Sequence, residues 1–225
     1  MKKIHCIGDS HCYFFYGSDE YDIRAIDWTD SLLPYFKIYS VGPALAYNLG
    51  TLGTKTKGRE ITFGILEKLI PVGSRIMLCF GEIDCRYHIF RQSRIQQKDF
   101  RAIAEDCVRH YFDFIKEIKV KGYEVLVWAT IPSSRDFGYY DPNYPRLGTC
   151  EERNCITKYF NEKLKSLLDG ESIKLISIFD QLVDGENVTR DQYYLADKVH
   201  LSQQMMPAAI KELRANIDDF DEAIS

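Results

Sequence analysis

The sequence predicts an α/β fold, a parallel sheet sandwiched between two helix layers. Two observations carry this. Short apolar runs alternate along the chain with segments of helical periodicity. Several of the runs stop at a glycine, as strands do where the chain turns towards a helix. The 225 residues suit one domain spanning 1–225, with enough chain to bury a substantial core.

The first strand is expected at Ile4–Ile7, ending at Gly8. A second runs over Lys37–Val41 and stops at Gly42-Pro43, and a helix follows from about Ala44 to Leu49. Glu60–Ile70 reads as a helix halted by Pro71 and Gly73. Arg75–Phe80 is a third strand, nearly all apolar, ending at Gly81. Phe100, Ile103, Ala104, Cys107, Val108, Tyr111, Phe112, Ile115 and Ile118 recur at helical spacing and predict a long helix over about Lys98–Lys121. Gly122 is placed to close it.

Tyr123–Ile131 is a fourth strand, whose continuous apolar core suits a strand covered on both faces. Residues 132–148 read as a loop rich in proline, glycine and aromatics. Thr149 and Glu152 fit a capping box for the next helix, ended by Gly170. Lys174–Phe179 is a fifth strand, and Ser202 caps a last helix reaching about Asp219.

Composition narrows the function. The formal net charge is -4, and no lysine/arginine stripe offsets it, which argues against a nucleic-acid partner. The leading residues have no long apolar stretch behind them, and no run is long enough to span a bilayer. Seven scattered cysteines without C-x-x-C suit reduced thiols in a cytoplasm, and a zinc site is not expected. Cys150 and Cys155 form the one pair with a ligand-like or bridge-like spacing.

In a parallel sheet, ligands bind beyond the carboxyl ends of the strands. Gly8-Asp9-Ser10, Gly42-Pro43, Gly81-Glu82-Ile83-Asp84 and Pro132-Ser133-Ser134 should therefore meet along one edge. A serine there needs a base, and the base needs a carboxylate to fix its tautomer. Of five histidines, His200 is the best base, with Asp197 three residues earlier and a helix start just beyond. His11 adjoins Ser10, and sequence neighbours usually point apart. His5 reads as a packed strand residue, His110 as solvated, and His88 stays possible. Cys12 and Cys85 flank the motifs and read as packing residues.

GDSH at Gly8–His11, the glycine after the second strand, G-x-x-D at Gly81–Asp84 and D-x-V-H at Asp197–His200 occur in order. Together they resemble the SGNH-hydrolase superfamily of GDSL-type esterases and lipases, over nearly the whole chain. The resemblance implies a three-layer α/β/α sandwich with a five-stranded parallel, flavodoxin-like sheet and no metal or cofactor. It implies Ser10 as nucleophile, His200 as base and Asp197 as orienting carboxylate. The backbone N–H groups of Ser10 and Gly42 would serve the oxyanion, and Asp9, Gly81 and Asp84 would shape the site. The family carries asparagine where this chain has Ile83, and isoleucine donates no hydrogen bond.

Losing one such donor typically costs roughly 10²–10³ in rate. Arg86, His88 or Asn48 could replace it, or the chain could be a weak or inactive relative. Arg86 is favoured for its fixed charge and donors, against the competing expectation that it pairs with Glu82 or Asp84. His88, Arg135, Tyr139 and Tyr140 are candidate substrate-binding residues, together with Tyr144 and Arg146 of the same loop. The expected function is hydrolysis of a small acyl ester, acetyl above all, on a carbohydrate or small molecule. An acyltransferase with a sugar hydroxyl as acceptor, and an inactive carbohydrate-binding protein, are the alternatives. The sequence leaves the oligomeric state open.

Overall fold

The computed structural model describes residues 3–21, 28–135 and 142–221. Six strands form one sheet in the order β2-β3-β1-β4-β5-β6. They are β1 (Ile4–Gly8), β2 (Trp28–Asp30), β3 (Phe36–Ser40), β4 (Arg75–Cys79), β5 (Glu124–Trp128) and β6 (Lys174–Ile176). The five expected strands are parallel, and their relative order is that of flavodoxin-like sheets. The sixth, β2, is a short antiparallel strand on the edge beside β3. Three residues carry no readable periodicity, which is why the sequence did not announce it.

Helices α1 (Gly58–Leu69), α3 (Phe100–Val120) and α4 (Cys150–Asp169) cover one face of the sheet. There Leu66, Ile115, Phe160 and Leu164 pack on Ile7, Leu78 and Val127. The other face, from Cys6, Ile38, Met77 and Trp128, is covered by α6 (Met206–Asn216) and a 3₁₀ helix over Ser10–Tyr16. The described residues also hold two shorter helices, α2 (Ile89–Gln96) and α5 (Phe179–Leu182). Neither was expected, nor was the π-type turn Asp84–His88 that leads into α2.

Most boundary differences have visible causes. The helix expected at 44–49 is one 3₁₀ turn, Ala46–Asn48, because the buried Asp84 carboxylate takes the Ala46 and Tyr47 N–H groups. Strand β5 stops at Trp128 because the Asn161 amide bonds both the N–H and the C=O of Thr130. Strand β6 stops at Ile176, and Phe179 opens α5 after the Ser177 hydroxyl accepts its N–H at 3.2 Å. The last helix ends at Asn216, after a 3₁₀ turn capped by Ser202. The Thr149–Glu152 capping box is present.

Gly8 stands level with Ser40 on one neighbour and Cys79 on the other. This common register brings the chain segments after β1, β3 and β4 to one edge. Gly8 lies so close to β4 that a Cβ would sit 2.3 Å from the Cys79 carbonyl oxygen. A glycine before Asp9-Ser10 is thus a packing requirement of the strand end.

Candidate active site

Ser10 opens the 3₁₀ helix after β1, and Asp9 caps it by accepting the His11 N–H at 2.9 Å. The other partners arrive 190 residues later. His200 Nε2 stands 2.7 Å from Ser10 Oγ, and His200 Nδ1 stands 2.6 Å from Asp197 Oδ2. The second Asp197 oxygen accepts the N–H groups of Val199 and His200 at 2.8 and 3.1 Å. This fixes the carboxylate against the ring it orients.

The Asp197–His200 loop is itself tied down. Leu195 N–H bonds the His200 carbonyl at 2.8 Å, and Lys198 takes a left-handed conformation (φ 58°). The Lys198 carbonyl accepts from the Ser134 hydroxyl and from Arg146 Nη2. Ser133 and Ser134, at the end of the segment after β5, are held by the fully buried Arg153. Its guanidinium reaches Ser133 Oγ at 2.9 Å and the Ser134 carbonyl at 2.8 Å.

Electrostatics favour a working base. Burial lowers the His200 pKa below 6.5, against the opposing pull of its Asp197 bond. Burial alone would raise the Asp197 pKa. The His200 interaction and the two backbone N–H groups outweigh it and hold the carboxylate well below its usual range. At neutral pH the pair is therefore carboxylate plus neutral imidazole, the state that can take a proton from Ser10.

A cavity of about 280 Å³ opens over Ser10, lined also by His11, Pro43, Glu82, Ile83, Arg86, Tyr144, Asp197, Val199 and His200. Ile83, where the sequence resemblance implies asparagine, lines this space. Arg86 also borders it, with Nε on Glu82 Oε1 at 2.6 Å and Nη1 on the Tyr144 carbonyl. Of the two expectations for Arg86, this geometry is the Glu82 pair. Gly42, after β3, gives its N–H to Ser40 Oγ at a long 3.4 Å. Asp84 faces away, holding the Ala46–Tyr47 turn and accepting the Cys107 thiol at 3.3 Å.

Gly81 takes φ 112°, and a Cβ there would meet Thr130 Oγ1 at 2.6 Å. Only glycine lets the chain turn from β4 into the Glu82–Arg86 segment.

The other candidates divide. His88 packs its ring on Tyr47, with centroids 5.2 Å apart, and does not line the cavity. Half-buried His110 packs on the same tyrosine at 4.5 Å. Arg135 pairs with Asp191 at 2.6 Å, away from the cavity lining. Tyr139 and Tyr140 lie outside the described residues. Asn48 sits in the 3₁₀ turn after β3 and is not among the lining residues. Cys12 and Cys85 are buried with thiol pKa values pushed up by burial, the opposite of activation. All seven cysteines are free. Among the described residues, no cluster of His, Cys, Asp and Glu could hold a metal ion.

Sequence reasoning placed Glu82 and Ser134 at the sheet edge without the contacts they make to His11 and Lys198, and it missed Arg153 and the place of His11. The turn after Ser10 swings the His11 ring to 4.9 Å from the His200 ring. Adjacent residues point apart on a strand, and this pair stands on a helical turn.

Comparison with solved structures agrees with the fold. A GDSL-like lipase from Bacteroides thetaiotaomicron superposes with a TM-score of 0.51 at 13% identity, over 99% of this chain and 89% of that one. This chain has the fold of the GDSL-type hydrolases. The C-terminal domain of Drosophila Oskar also matches, with a TM-score of 0.56 at 14% identity, over 95% of this chain and 87% of that one. The Bacillus subtilis protein YXIM gives 0.53 at 15% identity over 95% of this chain, which spans only 56% of that protein. No protein-family profile matches the sequence. No curated protein matches it either. Among the described residues, no helix is long and apolar enough to cross a membrane.

Proposed function

We propose that the protein is a serine esterase that removes a small acyl group, acetyl above all, from a carbohydrate. One observation carries the reading: Ser10, His200 and Asp197 form a continuous relay, with contacts of 2.7 and 2.6 Å, at the floor of a cavity. Fold alone would not carry it, since one fold hosts many functions.

The chemistry follows from the geometry. Ser10 Oγ attacks the ester carbonyl carbon while its proton passes to His200 Nε2. The C–O bond to the alcohol then breaks, and the same proton goes to the departing oxygen. Water, deprotonated by His200, attacks the acyl-serine, and Ser10 leaves with the proton restored. The Ser10 and Gly42 N–H groups serve the oxyanion. Gly42 exchanges its long bond to Ser40 for that stronger acceptor, and Arg86 adds positive charge at the cavity wall.

Pro43, Ile83 and Val199 give the cavity apolar walls, and its volume of about 280 Å³ suits a short acyl group more than a long alkyl chain. Tyr144 at its rim offers a flat surface for a sugar ring.

Ser10→Ala should abolish hydrolysis of p-nitrophenyl acetate and labelling by a fluorophosphonate. Purified mutant protein that still turns over would overturn the assignment. Wild-type protein should prefer acetyl to octanoyl esters and release acetate from acetylated sugars. The reverse chain-length preference would sink the small-acyl reading.

A further inference from the structure

The cavity holds a second imidazole that the triad does not use. His11 is 8% exposed, and its ring centroid lies 4.9 Å from that of His200, with the planes at 36°. Its Nε2 stands 3.3 Å from Glu82 Oε2, an ion contact. The other Glu82 oxygen takes Arg86 Nε at 2.6 Å. Four buried ionisable groups, from two segments of the chain, therefore meet beside the nucleophile: Asp9, His11, Glu82 and Arg86.

Their charges must balance. Uncompensated charge in a buried cluster is expensive. With His11 neutral, Asp9, Glu82 and Arg86 leave one negative charge without a counterpart. With His11 protonated, the sum is zero. Burial lifts the Asp9 pKa to about 6, so near neutral pH Asp9 is mostly ionised and the count holds. Burial disfavours charge on His11 too, yet Asp9 and Glu82 outweigh it and raise its pKa above 6.5. The facing groups are Asp9 at the end of β1, Glu82 and Arg86 after β4, and Asp197 and His200 before α6. Asp84 bears on the cluster through Asp9, and the Tyr21 hydroxyl lies nearby, in a small cavity shared with both histidines.

We propose that His11 is a positioning residue of the catalytic machinery: an imidazolium anchored on Glu82 that, by standing against His200, keeps the catalytic imidazole neutral and ready to accept the Ser10 proton. The proposal rests on the reading of His200 as the base. A cation at this distance makes the His200 imidazolium harder to form and, once formed, a stronger acid. Proton delivery to the leaving alcohol gains what proton removal from Ser10 gives up. The site thereby keeps its base at mildly acid pH. A leucine or asparagine at position 11 would fill space without supplying this charge.

The test has two readouts. In wild-type protein, imidazole nitrogen NMR across pH 5–9 should show His11 titrating above 6.5 and His200 below it. In His11→Asn, the acid limb of kcat/KM for p-nitrophenyl acetate should move up by about one pH unit, as like charges at such range shift a titration. The His200 NMR titration should move with it. A His11 that titrates at or below 6.5, or a folded His11→Asn with both His200 readouts unmoved, would overturn the proposal. If His11→Asn does not fold, the wild-type titration still decides. The NMR arm needs no turnover. A His200 titration that shifts in a protein without esterase activity would sink the esterase reading and leave the electrostatic coupling of His11 to His200 standing.

Discussion

Ser134 donates its hydroxyl hydrogen to the carbonyl of Lys198, and Arg146 Nη2 reaches the same oxygen at 2.7 Å. The two donors clamp the turn between Asp197 and His200 from outside the triad. Ser134→Ala removes one of them without touching the cavity. We expect kcat for p-nitrophenyl acetate to fall on the order of tenfold with KM little changed, because loosened positioning acts on the chemical step. An unaltered kcat would show that Arg146 alone holds the turn.

Lys198 is left-handed, at φ 58°, in that same turn. A lysine tolerates this at modest cost, a glycine at none, and a β-branched residue poorly. Lys198→Val should therefore lower stability by about 1–3 kcal/mol, read as a drop in Tm, while Lys198→Gly should stay close to wild type. Equal Tm values for the two variants would contradict the turn geometry.

The pH dependence follows from His200. Only the neutral ring accepts the Ser10 proton, so activity is lost as pH falls through the His200 pKa. Burial places that pKa below 6.5, so kcat/KM should be flat at pH 7 and decline only on the acid side of 6.5. Asp197→Asn should cost roughly 10⁴-fold in kcat, since an amide does not hold the imidazole tautomer. It should also move the acid limb to still lower pH, because the carboxylate supports charge on the ring. A limb moving upward would reverse the sign of the argument.

Much of this was legible in the chain because it depends on local pattern. Apolar runs ending at Gly8 and Gly81 marked strand ends, and nine apolar residues at helical spacing marked α3. Asp197 and His200 could be paired because they stand three positions apart, and the sheet's edge supplied Ser10. What stayed hidden depends on contacts between distant segments. The Asp84 carboxylate cuts the helix after β3 to one turn, and Asn161 ends β5. No periodicity signals that Glu82 joins His11 to Arg86, since its partners come from two different strand ends. The rule that sequence neighbours point apart hid His11, since it describes strands and Ser10 opens a 3₁₀ turn.

Gly81 offers a sharper test of the strand-end reading. It combines φ 112° with a Cβ position 2.6 Å from Thr130 Oγ1 and 3.2 Å from the Phe160 ring. Gly81→Ala must strain the backbone and displace both neighbours. We expect a loss of roughly 2–4 kcal/mol, seen as a lower denaturant midpoint. Gly64→Ala, in α1 with open space around its Cβ position, should match wild type or gain slightly, since alanine is the better helix former. Similar losses in both would remove the steric argument.

Ile83 is where activity should have room to rise. It lies in the cavity wall, at the position where the sequence resemblance implies an asparagine donor to the oxyanion. Arg86 borders the same cavity, but its Nε and Nη1 are engaged by Glu82 and the Tyr144 carbonyl. Its share is charge at the wall more than a bond aimed at the reacting oxygen. Ile83→Asn places an amide N–H₂ on that wall. One added donor in such a site is worth up to roughly 10²-fold in rate, and we expect kcat to rise by about tenfold or more with KM little changed. Exchanging the buried isoleucine for an amide should cost about 1–3 kcal/mol of stability, so the gain should come with a lower Tm. No gain in kcat from a folded Ile83→Asn, together with a large loss in Arg86→Ala, would place the third donor on Arg86 after all.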